Sequence, residues 1–156
     1  MQLLHAGPVF ADYHQFYLAD AAAKTEARHW TDADLAAGLI AQPGEIGIAT
    51  ARNTHVPVRV ELHDTPPPLA LAGVDQAAEA SLVTAGMLVL AGCTDSWPDA
   101  TRLAVPPGPL RLRLLASGLD RLSEDGLEGE DHYLIQLWPA PEAPVAVLKP
   151  WNPAGA

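Results

Sequence analysis

The densest group of chemically capable side chains is the twelve-residue run Asp120-Arg121-Leu122-Ser123-Glu124-Asp125-Gly126-Leu127-Glu128-Gly129-Glu130-Asp131. It holds the acids Asp120, Glu124, Asp125, Glu128, Glu130 and Asp131 against the single base Arg121, a local charge of -5. Clustered carboxylates can hold calcium or meet lysine and arginine on a partner. An EF-hand loop places an acid five residues before its glycine and a glutamate six after it. Here those positions hold Arg121 and His132, so that motif fails. Three readings stay open: a solvated charge run, calcium held in another loop geometry, and a patch for a basic partner.

Other constellations offer less. The six histidines are His5, His14, His29, His55, His63 and His132, and no two form an HxH or HExxH pair. A zinc site needs three or four convergent ligands. His55 and His63 share a strand face but lie roughly 26 Å apart in extended chain. Ser81, Ser96, Ser117 and Ser123 stand in no GxSxG elbow. Gly44-Glu45-Ile46-Gly47 lacks the Lys-Ser/Thr of a phosphate cradle and runs into a strand. Carboxylate pairs such as Asp32/Asp34 and Glu124/Asp125 are weak signals in a chain this acidic. The lone Cys93 can form no internal disulfide and reads as a buried structural thiol. Trp97 and Trp151, in proline-bearing loops, are candidate interface anchors if exposed and sheet-edge packing if not. No cofactor, metal or catalytic residue set is expected.

The elements that must position these residues are mostly strands. Val56, Val58, Val60 and Leu62 alternate with Pro57, Arg59, Glu61 and His63, and Leu110, Leu112 and Leu114 alternate with Arg111 and Arg113. Period-two patterns of this kind predict strands with one buried and one wet face. Further strands are expected at Val9–Leu18, Glu45–Ala51, Thr101–Val105, His132–Pro139 and, as an edge, Val145–Leu148. Ala77–Val83 and Gly86–Ala91 read as a hairpin around Thr84-Ala85-Gly86. Tyr133 and Trp138 fall on opposite faces of the last strong strand, so one of them should be exposed or covered by another segment.

One helix start is clear. In Trp30-Thr31-Asp32-Ala33-Asp34-Leu35, Thr31 can cap, Asp34 completes a capping box and Trp30 can staple onto Leu35. Gly38 weakens that helix and Pro43-Gly44 ends it. Asn53, between two strands, is expected to be structural, taking a left-handed conformation or bonding backbone locally. These elements predict a mostly β chain: one domain over residues 1–156, an antiparallel β-sandwich of about seven to nine strands with one short helix. A small open barrel is the alternative.

The 156 residues are about half apolar, enough for a core. The formal net charge is -10, from 19 acids and 9 bases. That balance argues against binding nucleic acid or an anionic membrane and suits a basic protein partner. The N-terminus lacks the pattern of a signal peptide and no apolar run has membrane-spanning length, so cytoplasmic localisation is expected.

Several segments together resemble the competence protein J family, whose known member inhibits a DNA-entry nuclease. They are Tyr13-His14-Gln15-Phe16, Trp30-Thr31-Asp32, and Gly44 to Ile48 running into Ala51-Arg52-Asn53-Thr54. A weaker match is Leu103-Ala104-Val105-Pro106-Pro107-Gly108, followed by an alternating strand. The resemblance implies a non-enzymatic, cytoplasmic bacterial protein that binds a nuclease or toxin. It carries over no inhibitory residues. The reading that joins both lines is an inhibitor or immunity-type partner of a basic nuclease, with Asp120, Glu124, Asp125, Glu128, Glu130 and Asp131 as partner-binding residues. The competing class is a β-sandwich module binding a small molecule, sugar or calcium through its loops.

Overall fold

Alternating apolar residues are matched by alternating burial. Val56, Val58 and Val60 are buried while Pro57 and Arg59 between them are exposed. The computed structural model describes residues 1–24, 27–95 and 97–151, with the side chain of Trp97 outside that set. Within it run β1 (Gln2–Phe10), β2 (Gln15–Asp20), β3 (Leu39–Gln42), β4 (Glu45–Ala49), β5 (His55–Leu62) and β6 (Gln76–Thr84). They are followed by β7 (Met87–Gly92), β8 (Thr101–Ala104), β9 (Gly108–Ser117), β10 (His132–Pro139) and β11 (Ala146–Lys149). The one α-helix among the described residues is α1 (Asp32–Ala37). No helix there is long and apolar enough to cross a membrane.

The strands form two sheets, in the orders β1-β5-β10-β9-β6-β11 and β3-β4-β2-β7-β8. Their facing sides share one core: Phe16, Leu18, Ile46, Ile48, Leu88 and Leu90 against Val58, Leu112, Leu114, Ile135 and Leu137. Phe16 meets Tyr133 edge-on, ring centroids 6.1 Å apart. The β-sandwich expected from the patterning is therefore present. It has eleven described strands against the seven to nine anticipated, and one pairing is parallel: Tyr133–Leu137 of β10 runs alongside Val58–Leu62 of β5. Every other pairing between the described strands is antiparallel.

Three local expectations change. The single strand over Val9–Leu18 is two strands in different sheets, separated by a 3-10 turn at Asp12–His14. Tyr13 (φ 58°) and His14 (φ 57°) take left-handed backbone there, a conformation costly for residues with a Cβ. Asn53 holds this corner by accepting the Tyr13 N–H at 2.7 Å. The bond is to backbone, but it is long-range rather than local, and the positive φ belongs to its partner.

β6 and β7 form no hairpin. β6 pairs β9 and β11, and β7 pairs β2 and β8, so the turn between them crosses from one sheet to the other. Asp20 fastens that crossing, its Oδ1 accepting the Thr84 hydroxyl at 2.6 Å and the Ala85 N–H at 2.9 Å. Each strand buries its apolar face better by joining a different sheet than by pairing its neighbour in sequence.

The helix start is as read. Thr31 Oγ1 accepts the Asp34 N–H at 3.2 Å and Asp34 Oδ2 accepts the Thr31 N–H at 3.0 Å, a complete capping box. Gly38 does more than weaken the helix: at φ 86° it ends it, and β3 begins at the next residue. Leu35 stays 50% exposed, and Trp30 gives its indole N–H to Gln15 Oε1 at 3.3 Å. Thr31→Ala is expected to cost about 1 kcal/mol, a typical N-cap loss. An unchanged denaturation midpoint would show that the cap contributes nothing.

The outer face of the six-stranded sheet is not wet at its centre. Arg111 and Arg113 are buried, correcting the expectation of a solvated stripe. Arg111 donates to the carbonyls of Ala143 and Pro144, and Arg113 to that of Pro67, so distant loops cover this face. Trp138 is covered on the same side, with the Arg113 guanidinium 4.9 Å from its ring centroid.

Candidate partner-binding face

The acidic run folds as a small hairpin that leads into β10. Gly118 (φ 69°) opens it, in a place where a Cβ would collide with the Glu130 carbonyl. Its two arms are joined by Ser123 N–H to the Glu128 carbonyl (2.8 Å) and Glu130 N–H to the Arg121 carbonyl (3.0 Å). At the tip, Asp125 accepts the Ser123 hydroxyl and the Leu127 N–H, and the Glu128 N–H reaches Ser123 Oγ. The Ser123 bond, followed by that from Leu127, holds the Asp125 carboxyl below its usual value. The tip is thus braced by its own side chains. Among the described residues no three of His, Cys, Asp and Glu converge as metal ligands.

Asp120, Glu124, Asp125, Glu128 and Glu130 are exposed on this hairpin, while Arg121 gives only a surface pairing to Glu130 at 3.4 Å. Asp131 departs from the expected set. It is fully buried, with Oδ1 on Arg52 Nε at 2.5 Å and Oδ2 accepting the Tyr133 hydroxyl at 2.7 Å. Tyr133 accepts the Ala51 N–H in turn, and burial pushes its hydroxyl well above the ordinary tyrosine pKa. Asp131 therefore belongs to the framework. It ties the base of the hairpin to the corner between β4 and β5, because a desolvated carboxylate needs a paired cation.

Beside the hairpin stem lies an open groove of about 840 Å³. Leu119 and Leu122 of the stem form one wall, Leu35 and Ala36 of α1 another, and Ala51 and Trp151 also line it. Trp151 is half-buried and its N–H donates to the Ala36 carbonyl at 3.0 Å. Of the two tryptophans singled out as anchors, it is thus part of a concave wall, while the side chain of Trp97 lies outside the described residues. Leu127, 57% exposed at the hairpin tip, was not singled out from sequence, although an isolated leucine among acids was a readable signal.

A second polar cluster sits on the outer face of the five-stranded sheet. Arg28 pairs with buried Glu45, bonds Gln15 Oε1 at 2.9 Å, and lies 4.8 Å from the Tyr17 ring centroid. Its Nη2 is 3.5 Å from Sγ of Cys93, which is half-buried rather than buried. Gln15, Trp30 and Glu45, one from each of the three resembling N-terminal segments, meet here. Their arrangement straps the segment before α1 onto the sheet, a framework role.

The chain matches no protein-family model and no curated protein sequence. The solved structures it resembles include the crystal structure of ComJ from Bacillus subtilis, inhibitor of the DNA-degrading activity of NucA. That alignment has a TM-score of 0.70 at 16% identity and covers 89% of this chain and 98% of that one. The protein described as crocagin biosynthetic gene J aligns with a TM-score of 0.55 at 17% identity, covering 90% of this chain and 100% of that one. The fold is ComJ-like.

Proposed function

We propose that this protein is a non-enzymatic inhibitor-type binding protein that occludes a basic protein partner, a nuclease or toxin, with its acidic hairpin. The observation that carries the reading is the hairpin itself: five exposed carboxylates on a loop braced by its own hydrogen bonds. A pre-ordered loop loses little entropy on binding. A nuclease groove is electropositive because it receives phosphate, and Asp120, Glu124, Asp125, Glu128 and Glu130 offer it negative charge on a protein too bulky to enter as DNA does. The overall charge of -10 and the fold shared with ComJ support the same reading. The single cysteine, which needs no oxidising compartment, suits action in the cytoplasm.

The partner is to be captured from the native host, identified by mass spectrometry and assayed for nuclease or toxin activity with and without this protein. A variant carrying Glu124→Gln, Asp125→Asn, Glu128→Gln and Glu130→Gln is expected to associate about 10-fold more slowly at low salt. The difference should fade as salt rises and the Debye length shrinks to about 8 Å near physiological ionic strength. Equal on-rates at low salt would exclude an electrostatic role for the hairpin. A calcium-dependent rise in melting temperature in the parent alone would replace partner recognition with metal binding.

A further inference from the structure

We propose that the groove beside the hairpin receives one large apolar side chain from a lysine- or arginine-rich segment of a protein partner. This rests on the reading of the hairpin as an electrostatic docking element and adds the second half of the recognition. The lining of the groove is largely apolar, with Leu35, Ala51, Leu119, Leu122 and Trp151. Two of its polar members, Gln76 and Thr50, already bond within the protein. Gln76 Nε2 donates to the carbonyls of Leu35 and Ala36, both at 2.9 Å, and the Thr50 hydroxyl donates to the Arg52 carbonyl at 2.8 Å. A small-molecule site needs a few polar groups free to orient its ligand. Here the spare charge is at the rim, on exposed Asp32, and on the net-acidic hairpin, whose stem leucines bracket Asp120 and Arg121 and lead into Glu124.

An apolar lining beside a net-anionic rim is complementary to an apolar anchor flanked by cations, since buried apolar anchors carry interface energy and opposite potentials steer the encounter. A second copy is disfavoured because each copy would bring its own acids to the same rim.

The test is amide chemical-shift mapping of the full-length protein with three synthetic peptides. One is Lys-Lys-Ala-Phe-Ala-Lys-Lys, the second replaces Phe by Ala, and the third replaces every Lys by Glu. The Phe peptide is expected to shift Leu35, Ala51, Leu119 and Leu122 together with the hairpin, and to bind about tenfold more tightly than the Ala peptide. The Ala peptide should shift the hairpin alone. Leu35→Gln, at an exposed helix position that tolerates either residue, should bring the Phe peptide down toward the Ala peptide.

Equal binding of both lysine peptides, confined to the hairpin, would overturn the groove assignment and leave the electrostatic reading standing. No hairpin shift with either lysine peptide would overturn both. Equal groove binding of the glutamate peptide would overturn the choice of a basic segment. Concentration-dependent shifts of the groove residues without peptide would assign the groove to a second copy and overturn the proposal.

Discussion

Asp131→Ala is expected to lower unfolding free energy by about 3–5 kcal/mol, the usual penalty for removing one partner of a buried ion pair. The carboxylate is inaccessible to solvent and its Arg52 partner nearly so, with side-chain exposures of 0% and 11%. Alanine leaves the guanidinium desolvated and the Tyr133 hydroxyl without its acceptor, next to a cavity that water reaches poorly. Asp131→Asn keeps the shape and one acceptor, so its loss should be smaller. Urea unfolding at neutral pH measures both. A loss below about 1 kcal/mol for the alanine variant would mean that the pair is effectively solvated. Because the same carboxylate anchors the hairpin base, the alanine variant should also show broadened amide signals from Asp120 to Glu130, and the asparagine variant less so.

Glu79→Ala should cost about 3 kcal/mol, at the low end for a broken buried pair. Glu79 is the carboxylate shared by two buried arginines, at 2.9 Å from Arg113 Nε and 3.4 Å from Arg111 Nε. The strand register puts Glu79 opposite Arg113, Arg113 opposite Gln136 and Gln136 opposite Glu61, a polar row across four adjacent strands. At its far end, burial raises the Glu61 carboxyl, but bonds from Arg59, His63 and Gln136 outweigh that and hold its pKa below the ordinary value.

Removing Glu79 strands two cations under the loops that carry Pro67, Ala143 and Pro144. Those carbonyls still accept hydrogen bonds, which is why the loss stays at the low end. Glu79→Gln should recover about half of it, since an amide oxygen can still accept from one arginine. A midpoint unchanged by Glu79→Ala would indicate that the cover opens and rehydrates the arginines, and a fall in the denaturant slope would identify that opening directly.

Both expectations concern residues whose place in the framework was not visible in the chain. The sequence by itself determined what is local. The period of two at Val56–Leu62 and Leu110–Leu114 reports which side chains share a strand face. The Thr31/Asp34 spacing reports a helix start, because its two bonds span only three residues. The density of acids from Asp120 to Glu130 reports exposure, because five carboxylates cannot be desolvated together without cations.

Only the tertiary structure decided what depends on distant partners. The alternation that marks Arg111 and Arg113 as facing away from the core is the same whether that face meets water or a loop. The loops that bury them come from Pro67, 46 residues before Arg113, and from Ala143 and Pro144, more than 30 after Arg111. Asp131 is the last acid of a charged run and indistinguishable from the others by type, yet Arg52, 79 residues earlier, draws it into the interior. Thr84-Ala85-Gly86 has the composition of a hairpin turn, but burial of both flanking apolar faces required β6 and β7 to enter opposite sheets. The groove has the same origin, since α1, the β4–β5 corner, the hairpin stem and Trp151 meet only in three dimensions. Propensity acts over a few residues, whereas desolvation and pairing act across space, and it is the second that placed the acids of this chain either on its surface or in its frame.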